Sequence, residues 1–214
     1  EKSGAKPVKT LGVIGSGIMG LDIAKLAAVH GINVRVRTSS AARAHEMADF
    51  DAAHEEAHAS TLAGGTTERG KITFSEQLSI LNDCDMVIEA VPEDSKLKQK
   101  LLAEVEKHVP DDCVLVTNTS ALELIELGQE MTKPERFVGL HFFYPVDKMP
   151  LIEVISHPST NARTNSLALG LATKLGKVPI GIKDSVGFLV NRLLTTHLME
   201  ASRMLDEGYP FNWI

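Results

Sequence analysis

Three glycines constrain this chain more than any other feature. Gly15, Gly17 and Gly20 stand in "TLGVIGSGIMG", directly after a short β-rich run and at the start of a stretch with apolar residues at helical spacing. Ile18, Ile23, Leu26 and Ala27 mark that spacing, Gly31 stops it, and "INVRVRT" follows at once as a second strand. Strand, helix and strand in this length predict a parallel β-α-β unit. In such a unit the first glycine permits the tight turn, the second lets the backbone approach a pyrophosphate, and the third lets helix and strand pack closely. The helix N-terminus adds its partial positive charge. Gly15, Gly17, Ile18, Met19 and Gly20 are therefore the residues this loop offers to a dinucleotide.

The rest of the chain repeats the alternation. Residues 41 to about 60 are rich in Ala, His and Glu and read as helix, and "LAGGTTERG" reads as a loop. "KITF" and "DMVIEAV" read as strands, the second apolar enough to be buried on both faces. From Asp94 to His108, Leu97, Leu101, Leu102 and Val105 predict one apolar helix stripe; "CVLVTNT", "RFVGLHFF", "LIEVI" and "VPIGI" follow as strands. This pattern predicts an α/β fold with a Rossmann-like, doubly wound, mostly parallel sheet. From Gly187 the character changes, because Val190, Asn191, Leu194, Leu198, Ala201 and Leu205 fall on one face of a long helix. The expected division is a dinucleotide-binding domain over 1–186 and, over 187–214, the first helix of an all-α C-terminal domain.

Composition narrows the function classes. A net charge of -6 and an isoelectric point near 5.8 argue against a nucleic-acid surface, and no basic arm is present. No apolar run is long enough to span a bilayer. Cys84 and Cys113 lie beside apolar strands and far from any Cys/His cluster. They read as buried thiols of an intracellular, reducing compartment, with no metal expected. The start has neither a signal-peptide core nor an initiator Met, and the chain reads as an excised piece.

Candidate chemistry gathers at strand ends. Thr38 occupies the position where an Asp or Glu accepts a bond from the NAD ribose 2′-hydroxyl; Arg37 precedes it, and Ser39 and Ser40 follow. "RTSS" either holds the 2′-phosphate of NADP or is a solvated strand end. His141 ends an apolar strand, and Glu153 lies twelve residues on in the next one. A carboxylate there can take one ring nitrogen, fix the tautomer and leave the other nitrogen facing a crevice as a general base. Asn118, Thr119 and Ser120 end another strand; Ser120 either caps a helix or presents its hydroxyl to a substrate oxygen. Asn191 is either a core amide or a donor aimed at the crevice.

Taken together, "GVIGSGIMG", "VIEAVPEDSKLKQKL", "TNTSALEL", "GLHFFYPVDKMPLIEVI" and "GFLVNRLL" resemble the L-3-hydroxyacyl-CoA dehydrogenase family, from about Val8 to Gly208. "PVDKMPLIEVI" is similar to the dehydrogenase segment of multifunctional fatty-acid β-oxidation enzymes. The resemblance implies interconversion of 3-hydroxyacyl-CoA and 3-ketoacyl-CoA with NAD, or with NADP given Thr38. It implies His141 as base, Glu153 as its orienting acid, and Ser120 and Asn191 at the reacting oxygen. Glu93 and Lys98, and Ser120 again, match positions near the nicotinamide half. The implied partners are an acyl-CoA substrate and either a second copy or further domains of a multifunctional polypeptide. Three features depart from the family pattern: Thr38, Tyr144 in place of an Asn after "HFF", and a 41–71 segment shorter than the helical arm over coenzyme A. The rival readings are a related dehydrogenase of small hydroxy acids and a non-catalytic, crystallin-like dinucleotide-binding protein.

Overall fold

The computed structural model describes residues 6–49 and 69–214. Eight strands form one sheet: β1 (Thr10–Ile14), β2 (Asn33–Arg37), β3 (Ile72–Ser75), β4 (Met86–Glu89), β5 (Val114–Thr117), β6 (Phe137–Phe142), β7 (Leu151–Ser156) and β8 (Val178–Lys183). Their order is β3-β2-β1-β4-β5-β6-β7-β8. Every neighbouring pair is parallel except β6 and β7, which run antiparallel. The order reverses between β1 and β4, and open α/β sheets bind ligands at such a switch point.

Helix α1 (Ile18–Val29) and α2, described over residues 41–49, follow β1 and β2. Then come α3 (Ser95–Val105), α4 (Leu124–Leu127), α5 (Ala162–Lys174) and α6 (Val190–Asp206). Residues 50–60 of the expected second helix, and most of "LAGGTTERG", lie outside the described residues.

Alternate residues of the central strands feed two separate cores. Val13, Val116 and Leu140 pack with Ile23 and Ala27 of α1 and Leu171 of α5. Ile14, Leu115 and Phe137 pack on the other side with Leu102 and Val105 of α3 and Leu124 and Leu127 of α4. The two-residue period of a strand produces this doubly wound, two-faced burial. Each fully buried Val, Leu or Ile contributes roughly 1.5–3 kcal/mol.

Three helices are not buried along the whole of their apolar stripes. The stripe of α3 does not include Leu97, which is 44% exposed; Lys98 is buried instead, at 1%. Ile18 is 68% exposed, because the first turn of α1 overhangs a cleft rather than the core. Helix α6 buries none of its residues. Leu194, Leu198 and Leu205, expected on one apolar face, are all exposed.

Candidate active site

The glycine loop closes on atoms that leave no room for side chains. Gly15 sits at φ +113, and a β-carbon there would lie 2.5 Å from the carbonyl oxygen of Ala90. At Gly20 a β-carbon would lie 2.0 Å from the oxygen of Gly15. At Gly17 it would meet nothing within 4 Å. Two glycines are thus demanded by packing, while the third faces open space in front of α1. Gly17 is the N-cap of α1 and supplies no side-chain cap, so the first amides of that helix remain available to an anion.

A cleft of about 510 Å³ opens there, lined by Gly15 to Met19, Arg37 to Ser39 and Ala90 to Pro92. It shares Met19, Ala90 and Val91 with a second cleft of about 360 Å³, lined also by Glu93, Asn118, Ser120 and His141 to Tyr144. An uncapped helix N-terminus at one end, apolar walls at Met19 and Val91 and an imidazole at the other end fit an extended dinucleotide. Thr38 carries no charge into the first cleft. It is fully buried and its hydroxyl donates to the carbonyl of Ser40. Arg37 donates from Nε to the carbonyl of Glu76.

His141 and Glu153 face each other directly in the antiparallel register of β6 and β7. Opposed residues of such a pair point to the same side of the sheet with adjacent β-carbons. His141 Nδ1 lies 2.6 Å from Glu153 Oε2. His141 is 6% exposed and Glu153 fully buried, and no described residue hydrogen-bonds the other ring nitrogen, Nε2. Phe143 stacks at a tilt on the imidazole, ring centroids 4.4 Å apart. The arrangement can take a proton from a hydroxyl in the second cleft.

Between the clefts lies a charged cluster that sequence reasoning saw only in part. Lys98 Nζ donates to Glu89 Oε1 at 2.7 Å and to the carbonyl of Val91 at 3.2 Å, and pairs with Glu93 Oε2 at 3.2 Å. The ammonium is thus engaged by two hydrogen-bond acceptors and an ion pair, and Lys98 meets the cleft through Glu93, which lines it. Glu89, absent from the sequence expectations, also accepts from the N–H of Val91 and the hydroxyl of Thr117. An acid ending a buried strand, nine residues before a lysine on a helix, was its signal. Burial alone would raise the Glu93 carboxyl. The Thr119 hydroxyl, the Lys98 ammonium and the Ser120 N–H outweigh that and hold it below its ordinary value.

Ser120 caps no helix. The hydroxyl of Thr119 accepts from the N–H of Leu122, and the first amides of α4 are taken by Asp184. The exposed Ser120 faces the second cleft, and its carbonyl accepts from Asn191 Nδ2 at 2.8 Å. The structure thus brings together His141, Glu153, Ser120, Asn191 and Glu93, with the glycine loop in the adjoining cleft. Asn118, on the same rim, receives the N–H of Phe142. Tyr144 is 63% exposed at its edge. Both thiols are buried, and burial pushes Cys113 up to about 12, so neither is a thiolate at neutral pH. Among the described residues no group of three or more His, Cys, Asp or Glu is placed to hold a metal ion.

Residues 10–185 match the family model described as 3-hydroxyacyl-CoA dehydrogenase, NAD binding domain. Over 222 aligned residues, 98% of its length, the chain is 38% identical to a fatty acid oxidation complex subunit alpha of Idiomarina loihiensis, of which it covers 30%. Among solved structures it is similar to a 3-hydroxybutyryl-CoA dehydrogenase of Escherichia coli K12, with a TM-score of 0.87 and 34% identity over 96% of this chain and 44% of that one. It is also similar to the (S)-3-hydroxybutyryl-CoA dehydrogenase of Ralstonia eutropha, with a TM-score of 0.83 and 34% identity over 94% of this chain and 72% of that one. The chain spans about 30% of the length of the curated relatives it matches.

Proposed function

The chain belongs to the 3-hydroxyacyl-CoA dehydrogenase family, and from that premise we propose that it oxidises L-3-hydroxyacyl-CoA to 3-ketoacyl-CoA, a step of fatty-acid β-oxidation. One observation carries the reading: the imidazole of His141, held by Glu153 at 2.6 Å, lines the cleft that adjoins the glycine loop. NAD, when bound, supplies the hydride acceptor. His141 Nε2 takes the proton of the substrate's 3-hydroxyl, and Glu153 keeps Nδ1 protonated so that Nε2 can accept. Ser120 and Asn191 flank the reacting oxygen and steady the charge that develops on it. The amides of Gly17 and the first turn of α1 would hold the pyrophosphate of a bound dinucleotide, with Ile18 and Met19 lining the same cleft and Glu93 the adjoining one. Lys98 serves the site by holding Glu93.

No carboxylate meets the adenosine ribose at Thr38, so the preference between NAD and NADP is part of the test. Residues 1–186 form the nucleotide-binding domain in this reading, and 187–214 begin the helical one, consistent with a helix α6 that buries none of its residues. Curated relatives named as fatty acid oxidation complex subunits favour a place in a larger assembly or multifunctional polypeptide, or a homodimer. The two free, buried thiols suit an intracellular, reducing compartment, and no described helix is long and apolar enough to cross a membrane.

The test titrates the chain with NADH and NADPH in parallel, then adds acetoacetyl-CoA and follows cofactor oxidation, with His141→Ala as control. Oxidation that disappears in the variant while NADH still binds is the expected result. Faster turnover of free hydroxy acids would move the assignment to the small hydroxy-acid dehydrogenases, and cofactor binding without any turnover to a non-catalytic protein.

A further inference from the structure

Glu153 has partners that proton transfer does not account for. Its Oε2 meets His141, while its Oε1 accepts the N–H of Leu189 at 3.0 Å and of Val190 at 2.9 Å. These are the cap residue and first residue of α6. The chain reaches them through a turn in which Gly187 sits at φ +70 and Phe188 at φ +52; Phe188 is the one non-glycine residue with positive φ among the described residues. A β-carbon is crowded in that region, and an L-residue stays there when its surroundings over-determine it. The surroundings of Phe188 do so: it is 1% exposed and belongs to the second core, with Ile155 a member and Ile182 packed against it. Its ring lies 5.9 Å from the imidazole of His141, centroid to centroid.

Phe188 therefore meets His141 through its ring and immediately precedes the two residues whose amides hold Glu153. We propose that Phe188 is a positioning residue for the His141–Glu153 pair. The proposal rests on reading His141 as the base. A carboxylate tied at one oxygen can rotate about its side-chain torsions. Tied at both, Glu153 is a fixed fork, and the imidazole that donates to it is fixed with Nε2 toward the cleft. The start of α6 and the orientation of the imidazole then form one mechanical unit, joined a second time where Asn191 donates to the carbonyl of Ser120.

The test compares the 214-residue chain with Phe188→Ala, Phe188→Leu and Gly187→Ala by two readouts. The first is the low-field proton resonance of the His141 Nδ1–Glu153 hydrogen bond, assigned by its absence in His141→Ala. The second is kcat and KM with NADH and acetoacetyl-CoA, beside the dissociation constant of NADH. In Phe188→Ala and Gly187→Ala the resonance is expected to broaden or move upfield, and kcat to fall about tenfold or more with KM and NADH affinity within about threefold. Phe188→Leu, which keeps apolar bulk against the imidazole, is expected to recover most of both. An unchanged resonance and kcat in folded alanine variants overturn the proposal, and so does a loss of NADH binding in step with kcat. Should Phe188→Ala fail to fold, Gly187→Ala decides: a β-carbon there meets nothing nearer than 3.6 Å, so the substitution acts through the left-handed φ of +70 and strains the turn that aims the two amides. If the wild-type chain does not oxidise NADH with acetoacetyl-CoA, the dehydrogenase reading falls, while the resonance still decides the role of Phe188.

Discussion

At the residue scale, the pair of His141 and Glu153 explains why two costly groups are buried on adjacent strands. An unpaired carboxylate in the interior is expensive, and Glu153 offsets that cost with three donors: the imidazole Nδ1 and two amides. Glu153→Gln tests the tautomer argument. The glutamine oxygen can still accept from Leu189 and Val190, which turns its NH₂ toward Nδ1. Nδ1 must then accept, and the ring proton moves to Nε2, where it blocks proton uptake from substrate. The expected outcome is a kcat lower by roughly 10²–10⁴-fold with NADH affinity unchanged, checked by steady-state turnover and a fluorescence titration. A kcat within tenfold of wild type would rule out the tautomer role. Lys98 carries a different lesson. Periodicity puts its neighbour Leu97 on the apolar stripe, yet Lys98 is the one inside, because Glu89 and the Val91 carbonyl accept from its ammonium and Glu93 pairs with it.

At the element scale, the glycine loop separates packing from binding, and the two can be measured apart. Gly20→Ala places a β-carbon 2.0 Å from the oxygen of Gly15, and is expected to destabilise the fold by about 1–3 kcal/mol or more, visible in urea unfolding. Gly17→Ala meets no atom within 4 Å and keeps an ordinary extended φ of -77. Its stability should fall by no more than about 1 kcal/mol, the cost of alanine at an N-cap, while NADH binds about tenfold or more weakly, a loss of roughly 1.4 kcal/mol or more, because the methyl occupies the space in front of the helix N-terminus. Equal NADH affinity in Gly17→Ala would place the pyrophosphate elsewhere. The β6–β7 pair makes a related point about elements. A parallel partner is joined through a crossover, whereas the antiparallel turn sets two nearby residues of the chain opposite each other.

At the scale of the whole molecule, acid stability should track carboxylates that tie one element to another, as Glu106 at the end of α3 ties that helix to the segment before β6. Burial by itself would raise Glu106, but the N–H and hydroxyl of Thr132, the N–H of Lys133 and the guanidinium of Arg136 hold it below its ordinary value. A depressed carboxyl favours the fold above its unfolded value and loses that contribution as pH falls through the folded one. Stability is therefore expected to hold from pH 7 to about 5 and to decline below about 4.5. In Glu106→Gln the decline should be shallower, as measured by denaturant midpoints across that range; an identical acid slope would remove Glu106 from the account. Much of this molecule was legible in the linear chain. The glycine spacing, the two-residue and 3.6-residue apolar periods and the His141–Glu153 separation determined a doubly wound sheet with a dinucleotide loop and a facing imidazole and acid, because these patterns are local or rest on one strand pair. Tertiary structure alone decided that Lys98 rather than Leu97 turns inward, that Thr38 spends its hydroxyl on Ser40 while Ser120 caps nothing, and that the start of α6 clamps Glu153. Each of those outcomes depends on which distant polar atoms remain to be satisfied once the strands have paired, and periodicity carries no record of that requirement.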